Sequence, residues 1–319
     1  MALACYQSSV QSREVGRLKK HLVLSVLLLV SLLTLLPVIS GCGVATQQTT
    51  ATLGETEAGS AADAAIAAVT KSDDIESPAT IEAGVLLAGS DTAAPPLAYL
   101  AIVERVKDNE VVKEVAPVGF EVDLCTAIAE KMGLELRVVS TAWADLIPTL
   151  ESGQVDILMS GMATSRDLRE QLSATDPHLA ADLAISTPVA KPIDGEAELA
   201  SKIVGVQIDT VAQTALDGVG GVKEIRPYPR ILDAFRDLAA GRLDAVVADE
   251  PASLWILENN ADYKGKYAVT GALETGEGYA YWCTKDKSAL LGAMNTALEQ
   301  LRNEGVYDKI CAKWGLTGD

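Results

Sequence analysis

The chain has 319 residues and a formal net charge of −18. An excess of carboxylates on this scale repels nucleic acid and anionic lipid surfaces. With two histidines and no Gly-x-Ser-x-Gly, HExxH or paired CxxC pattern, the sequence offers no support for hydrolytic or metal-dependent catalysis and implies no metal or other cofactor. The first 41 residues stand apart from the rest: Arg13, Arg17, Lys19 and Lys20 precede an almost wholly apolar run at 22–39, and small residues follow. This is the layout of an export signal. The competing reading is a membrane-spanning helix, since about 18 apolar residues nearly cross a bilayer.

The ending Ser40-Gly41-Cys42 resembles the lipobox of bacterial lipoproteins. The resemblance implies cleavage before Cys42, lipidation of that cysteine, and a membrane-anchored chain outside the cytoplasm. Residues 42–79 are rich in Ala, Thr, Gly, Ser and Gln and hold no aromatic residue, so they are expected to be a flexible tether, transiently helical at 61–69.

From residue 81 onward the pattern alternates strand and helix. An apolar strand at 85–88 leads to Gly89-Ser90-Asp91, and a hairpin is expected at 101–115 around residues 107–109. Apolar residues at helical spacing place a helix at Phe120–Met132, stopped by Gly133. A strand at 134–140 and a helix at 143–150 follow. Next comes the turn Gly153-Gln154, the strand 155–159, and the small-residue loop Ser160-Gly161-Met162-Ala163 with Arg166 and Arg169 beyond it. Strand, small loop and helix start form an arrangement that presents backbone N–H groups to an anion. A second series runs through strands at 183–189, 202–208, 224–226 and 245–248, with helices at 210–216, 231–240 and 251–258. Thr210 and Asp209 suit an N-cap. Strands at 267–270 and 279–283 and helices at 290–302 and Val306–Trp314 complete the chain. Cys125 reads as a buried apolar residue, and Cys283 and Cys311 are a pair that an oxidising compartment allows but does not require to join.

Within the two series one design occurs twice. Gly153-Gln-Val-Asp156 precedes one apolar strand and Gly241-Arg-Leu-Asp244 another, the second strand ending at Asp249. Repeated βα units argue for sheets covered by helices, and two series argue for two lobes. Ligands of such sheets sit beyond the C-terminal strand ends, which sets the Ser160 loop and Asp249 across a cleft.

The ordered motifs Gly119-Phe-Glu-Val-Asp-Leu124, Trp143-Ala-Asp-Leu-Ile-Pro-Thr-Leu150, Thr175-Asp-Pro177, Val204-Gly-Val-Gln207, Ala248-Asp-Glu-Pro251 and Gly305-Val-Tyr-Asp-Lys-Ile310 resemble the extracellular solute-binding proteins of family 3, from about residue 81 to 315. The resemblance implies an α/β, two-lobe type II periplasmic-binding-protein fold with a hinged ligand cleft. Lobe 1 is then 80–187 plus 272–319 and lobe 2 is 188–271. It implies a monomer that captures an amino acid or related zwitterion by lobe closure for an ABC permease, and no catalysis. By the same resemblance Asp249 binds the α-ammonium, Thr210 and the Val211 amide bind the α-carboxylate, and Ser160 to Ala163 offer backbone groups. An arginine pairs with the carboxylate: the family's position falls on Leu168, so Arg169 is the first choice and Arg166 the second. Asp91 lies in the first ligand loop, and Leu97, Trp143 and His178 are placed at the pocket wall. Asp209 replaces a usual glycine. Alternatives on the same scaffold are a dehydratase-like enzyme, which needs His178 or an acidic residue as proton donor, and a ligand-sensing lobe for a signalling partner.

Overall fold

The computed structural model describes residues 57–107 and 110–316. The apolar run at 22–39 and Cys42 lie outside the described residues. No helix among the described residues is long and apolar enough to cross a membrane.

The first described element is a helix, α1 (Glu57–Ala67). Next come β1 (Val85–Ser90), β2 (Ala93–Ala94), the long strands β3 (Ala98–Lys107) and β4 (Glu110–Val118), α2 (Phe120–Met132) and β5 (Glu135–Ser140). A 3-10 turn at Trp143–Asp145 leads to α3 (Leu146–Glu151), β6 (Ile157–Leu158), α4 (Arg166–Gln171), β7 (Ser173–Ala174), β8 (Leu179–Ala180) and β9 (Leu183–Pro188). The second series is β10 (Ile203–Gln207), α5 (Val211–Gly218), β11 (Glu224–Tyr228), α6 (Ile231–Ala239), β12 (Ala245–Asp249), α7 (Glu250–Asn259) and β13 (Tyr267–Leu273). The chain ends in β14 (Gly278–Tyr279), β15 (Trp282–Cys283), α8 (Ser288–Asn303) and α9 (Val306–Trp314).

Two five-stranded sheets carry the fold, in the orders β5-β1-β6-β15-β7 and β11-β10-β12-β9-β13. Within each, the first three strands run parallel and the last two join antiparallel. The sheets therefore share one plan: β5, β1, β6 and β15 correspond in order to β11, β10, β12 and β9. Helices cover both, as parallel strands with two apolar faces demand, and this is the two-lobe α/β fold with a cleft between the lobes. Because β9 belongs wholly to the second sheet, the chain enters that sheet at Leu183, ahead of the boundary at 188.

The repeated sequence design folds as one turn used twice. Gly153 and Gly241 have φ of 71° and 70°, a left-handed conformation that glycine adopts without steric cost. Their N–H groups donate to Leu150 O and Leu238 O, each at 3.0 Å. Asp156 N donates to Leu87 O at 2.8 Å while Asp156 Oδ2 accepts from Leu87 N at 3.1 Å. Asp244 N donates to Ile203 O at 2.8 Å while Asp244 Oδ2 accepts from Ile203 N at 2.8 Å. Each aspartate thus staples its own strand to the parallel neighbour.

The tether expected at 42–79 is not a tether from residue 57 on. Helix α1 lies against α2 and α9, with Ala62 fully buried and Ala65, Ile66 and Val69 on the lobe-1 core. Lys313 Nζ clamps it by bridging Asp63 at 2.5 Å and Asp123 at 2.9 Å. Further along, Ile75 is buried, Ser72 N donates to Lys131 O at 2.9 Å, and Ser77 Oγ donates to Met132 O at 2.7 Å. Composition alone undervalued this segment because its partners lie more than fifty residues away. Cys125, Cys283 and Cys311 are buried, and no disulfide joins Cys283 to Cys311.

Candidate ligand cleft between the lobes

Strand ends of both sheets meet at a cavity of about 870 Å³. Lobe 1 contributes Asp91, Leu97, Trp143 and the loop from Ser160 to Leu168; lobe 2 contributes Gln207, Asp209, Thr210, Val211, Arg230 and Asp249. Six carboxylates line it (Asp91, Asp167, Asp209, Asp249, Glu274 and Glu277) against two guanidiniums, Arg166 and Arg230. Leu97, Trp143, Ile147 and Leu168 give it an apolar side.

Asp249 ends β12 and precedes α7. Its Oδ1 accepts a 2.6 Å hydrogen bond from the hydroxyl of Tyr279, which sits in the lobe-1 core. Burial pushes the Asp249 carboxyl above its ordinary value, the Tyr279 bond opposes this, and the negative field of Glu121 adds to it. A half-buried carboxylate of this kind gains from a cation more than a fully exposed one does. Burial likewise raises the Asp91 carboxyl, opposed by the Ala93 backbone N–H and the Arg230 guanidinium. Asp91 N donates to Ser160 Oγ at 2.8 Å, so the buried Ser160 hydroxyl fixes the Asp91 loop.

The Ser160–Ala163 loop turns more of itself inward than the resemblance implies. Gly161, at φ 59°, donates its N–H to Glu121 Oε2 at 2.7 Å, and an added Cβ there would lie 2.7 Å from Leu97 Cδ1. Met162 O accepts from Ala280 N at 3.2 Å and from Trp282 Nε1 at 3.1 Å. Ala163 bridges to Tyr279. The loop is thereby fastened to lobe 1 while its outer face borders the cavity.

On the lobe-2 side, Thr210 caps α5. Its Oγ1 accepts from Gln213 N at 3.4 Å and donates to Gln207 O at 2.8 Å. The hydroxyl is thus committed to the fold, and what Thr210 and Val211 bring to the cavity is a helix N-terminus, where anions are favoured. Asp209 lies at φ 58°. That explains the glycine usual at this position: the backbone is left-handed, and aspartate is among the few other residues that tolerate it. The exchange adds a carboxylate to the cavity wall.

Two expectations need correction. His178 is not a wall residue: it is fully buried in lobe 1, stacked on Tyr281 at 4.5 Å, and does not line the cavity. Arg169 is exposed and does not line it either, whereas Arg166 does, with its Nε 3.7 Å from Glu170 Oε1. Leu168 borders the cavity as an apolar residue beside Trp143 and Ile147. The sequence reading missed Arg230, at the start of α6, whose Nε and Nη2 hold Asp233 at 3.0 and 3.2 Å. Extending the strand-end rule to the C-terminus of β11 would have found it. Glu274, Glu277 and Tyr279, from the segment returning to lobe 1, were missed as well.

A two-lobe α/β scaffold with an acidic cleft at its strand ends defines a class of solute-binding proteins. Residues 89–317 match the model of the bacterial extracellular solute-binding proteins, family 3. The chain belongs to this family and works outside the cytoplasm. It is 30% identical over 239 residues to a probable histidine-binding protein of Neisseria gonorrhoeae, covering 71% of this chain and 87% of the relative. Identity is 28% over 243 residues to the lysine/arginine/ornithine-binding periplasmic protein of Escherichia coli, covering 72% and 94%. Among solved structures, an ancestral arginine-binding protein bound to arginine is similar at a TM-score of 0.63 and 29% identity, covering 72% of this chain and 98% of that one.

Proposed function

We propose that the cleft captures a cationic amino acid and hands it to the permease of an ABC importer. The observation that carries this reading is the charge of the wall, six carboxylates against two guanidiniums. A ligand with two ammonium-type groups and one carboxylate matches it. Asp249 takes the α-ammonium through a charge-assisted hydrogen bond. The N-terminus of α5 at Thr210 and Val211, with Arg166 or Arg230, takes the carboxylate. Asp91 and its acidic neighbours take the distal cation. The relatives named for histidine and for lysine, arginine and ornithine point the same way. Contacts from both lobes exist together only when the lobes close, so the ligand shifts the population toward the closed form, and the permease reads that form. A dehydratase-like reading loses its histidine, because His178 lies outside the cavity.

Titration calorimetry with arginine, lysine, histidine, glutamine and glutamate tests the reading. Cationic ligands are expected to bind at micromolar strength, about −8 kcal/mol, and glutamate not at all; a preference for glutamate sinks it. We further place the monomeric protein on the membrane through lipidated Cys42. Cys42→Ser should then move the protein from the membrane fraction to the soluble one.

A further inference from the structure

Behind the cleft, two side chains with no exposure at all face each other. Glu121, in the first turn of α2, places Oε1 3.1 Å from His178 Nε2, and its Oε2 accepts the 2.7 Å bond from Gly161 N in the cleft loop. The surroundings seal the pair. Tyr281 stacks on the imidazole, Phe120 lies 6.0 Å away, Tyr281 Oη donates to Glu121 O at 3.3 Å, and Tyr307 Oη donates to His178 O at 2.6 Å. The other imidazole nitrogen, Nδ1, has no hydrogen-bond partner.

The Glu121 carboxylate faces two groups: Oε2 accepts from Gly161 N, and Oε1 lies against His178 Nε2. Among the described residues no lysine or arginine forms an ion pair with it.

We propose that Glu121, although outside the cavity, is a specificity-determining residue: its buried carboxylate fixes the Gly161 loop and supplies a negative field that ranks a cationic amino acid above a neutral one of similar shape. This rests on the cationic-ligand reading of the cleft. Burial is the main cause that raises the Asp249 carboxyl and the Tyr279 hydroxyl that bonds it, and the negative charge of Glu121 adds to both. Because the charge is sealed off, bulk water and salt screen it little.

The test compares arginine with glutamine by calorimetry in the wild type, Glu121→Gln and Glu121→Asp. Gln preserves size and one acceptor oxygen for Gly161 N, removes the charge and turns an amide N–H toward His178: arginine affinity should fall about tenfold, the size of one charge–charge interaction across the lobe, while glutamine affinity changes by less than about threefold. Asp keeps the charge on a shorter arm: both ligands should weaken and the preference should stay. Equal weakening of both ligands in the Gln variant would mean that Glu121 only holds the loop, and would overturn the proposal. A wild type that does not prefer arginine overturns the ligand class and this inference together; a preference that survives Glu121→Gln overturns the inference alone. Should the Gln variant fail to fold, the histidine nitrogen NMR spectrum of the wild type decides. The chain has two histidines, and His21 lies in the export segment. A neutral His178 ring protonated on Nε2 at pH 7 supports the proposal, and a doubly protonated ring overturns it.

Discussion

The turn at Gly153–Asp156 and the turn at Gly241–Asp244 make the same hydrogen bonds in the same order, yet they end differently. In lobe 1 the aspartate is buried at 1% exposure and accepts a second backbone bond, from Ile81 N at 2.9 Å. In lobe 2 it is exposed and holds Ile203 alone. Beyond the turns, β6 is two residues long and opens into a loop fastened to lobe 1, whereas β12 runs for five and delivers a carboxylate at its last residue. The staple belongs to the scaffold, and what the strand ends with belongs to the ligand. A repeat seen in sequence therefore marks the architecture, and the residues that break it mark the site.

The largest expected effect is at the end that differs. Asp249→Ala should weaken arginine binding by about 3 kcal/mol, on the order of a hundredfold, as for other buried charge partners; calorimetry with retained thermal stability would assign the loss to the site. The staples should separate next. Asp156→Ala strands two backbone donors in lobe 1 and should cost about 2–3 kcal/mol of unfolding free energy, while Asp244→Ala frees one that water can reach and should cost about 1 kcal/mol. Equal losses in denaturant melts would remove the distinction between the two turns. Gly153→Ala and Gly241→Ala, by contrast, should cost about 1 kcal/mol each, because both impose the same left-handed backbone.

Acidity tests the Asp249 end without mutation. Its folded-state carboxyl is raised from 3.8. The native state therefore holds its proton longer than the unfolded chain does, and the stability of the ligand-free protein should fall as pH rises from 3.8 through the raised value. Arginine affinity should rise over the same window as the carboxylate forms. Asp249→Asn should flatten the stability trend. The smallest effect is expected at Arg169→Ala, which leaves arginine affinity within about twofold because the side chain points to solvent; a larger loss would return it to the site.

Much of this was legible in the sequence. Helical spacing gave α2 to the residue, the closing helix was placed at the bounds of α9, and the repeat pointed to the two strand ends that border the cavity. What escaped was decided by partners remote in sequence. His178 went inward because Glu121, 57 residues earlier, meets it. Glu121 itself looked like one letter of a motif. Arg169 and Arg166 could not be ranked by spacing alone: both are exposed on one six-residue helix, and only Arg166 borders the cavity. The docked α1 was hidden by its alanines, which make a helix cheap but do not reveal its partner 250 residues away at Lys313.

That docked helix also bears on where a pull on the chain would enter. Whatever holds the chain before Glu57, tension arriving along it meets the Lys313 clamp and the α1 contacts before it meets any hinge strand. A pull from that side would enter the molecule at lobe 1 and leave the lobe-2 sheet outside its path.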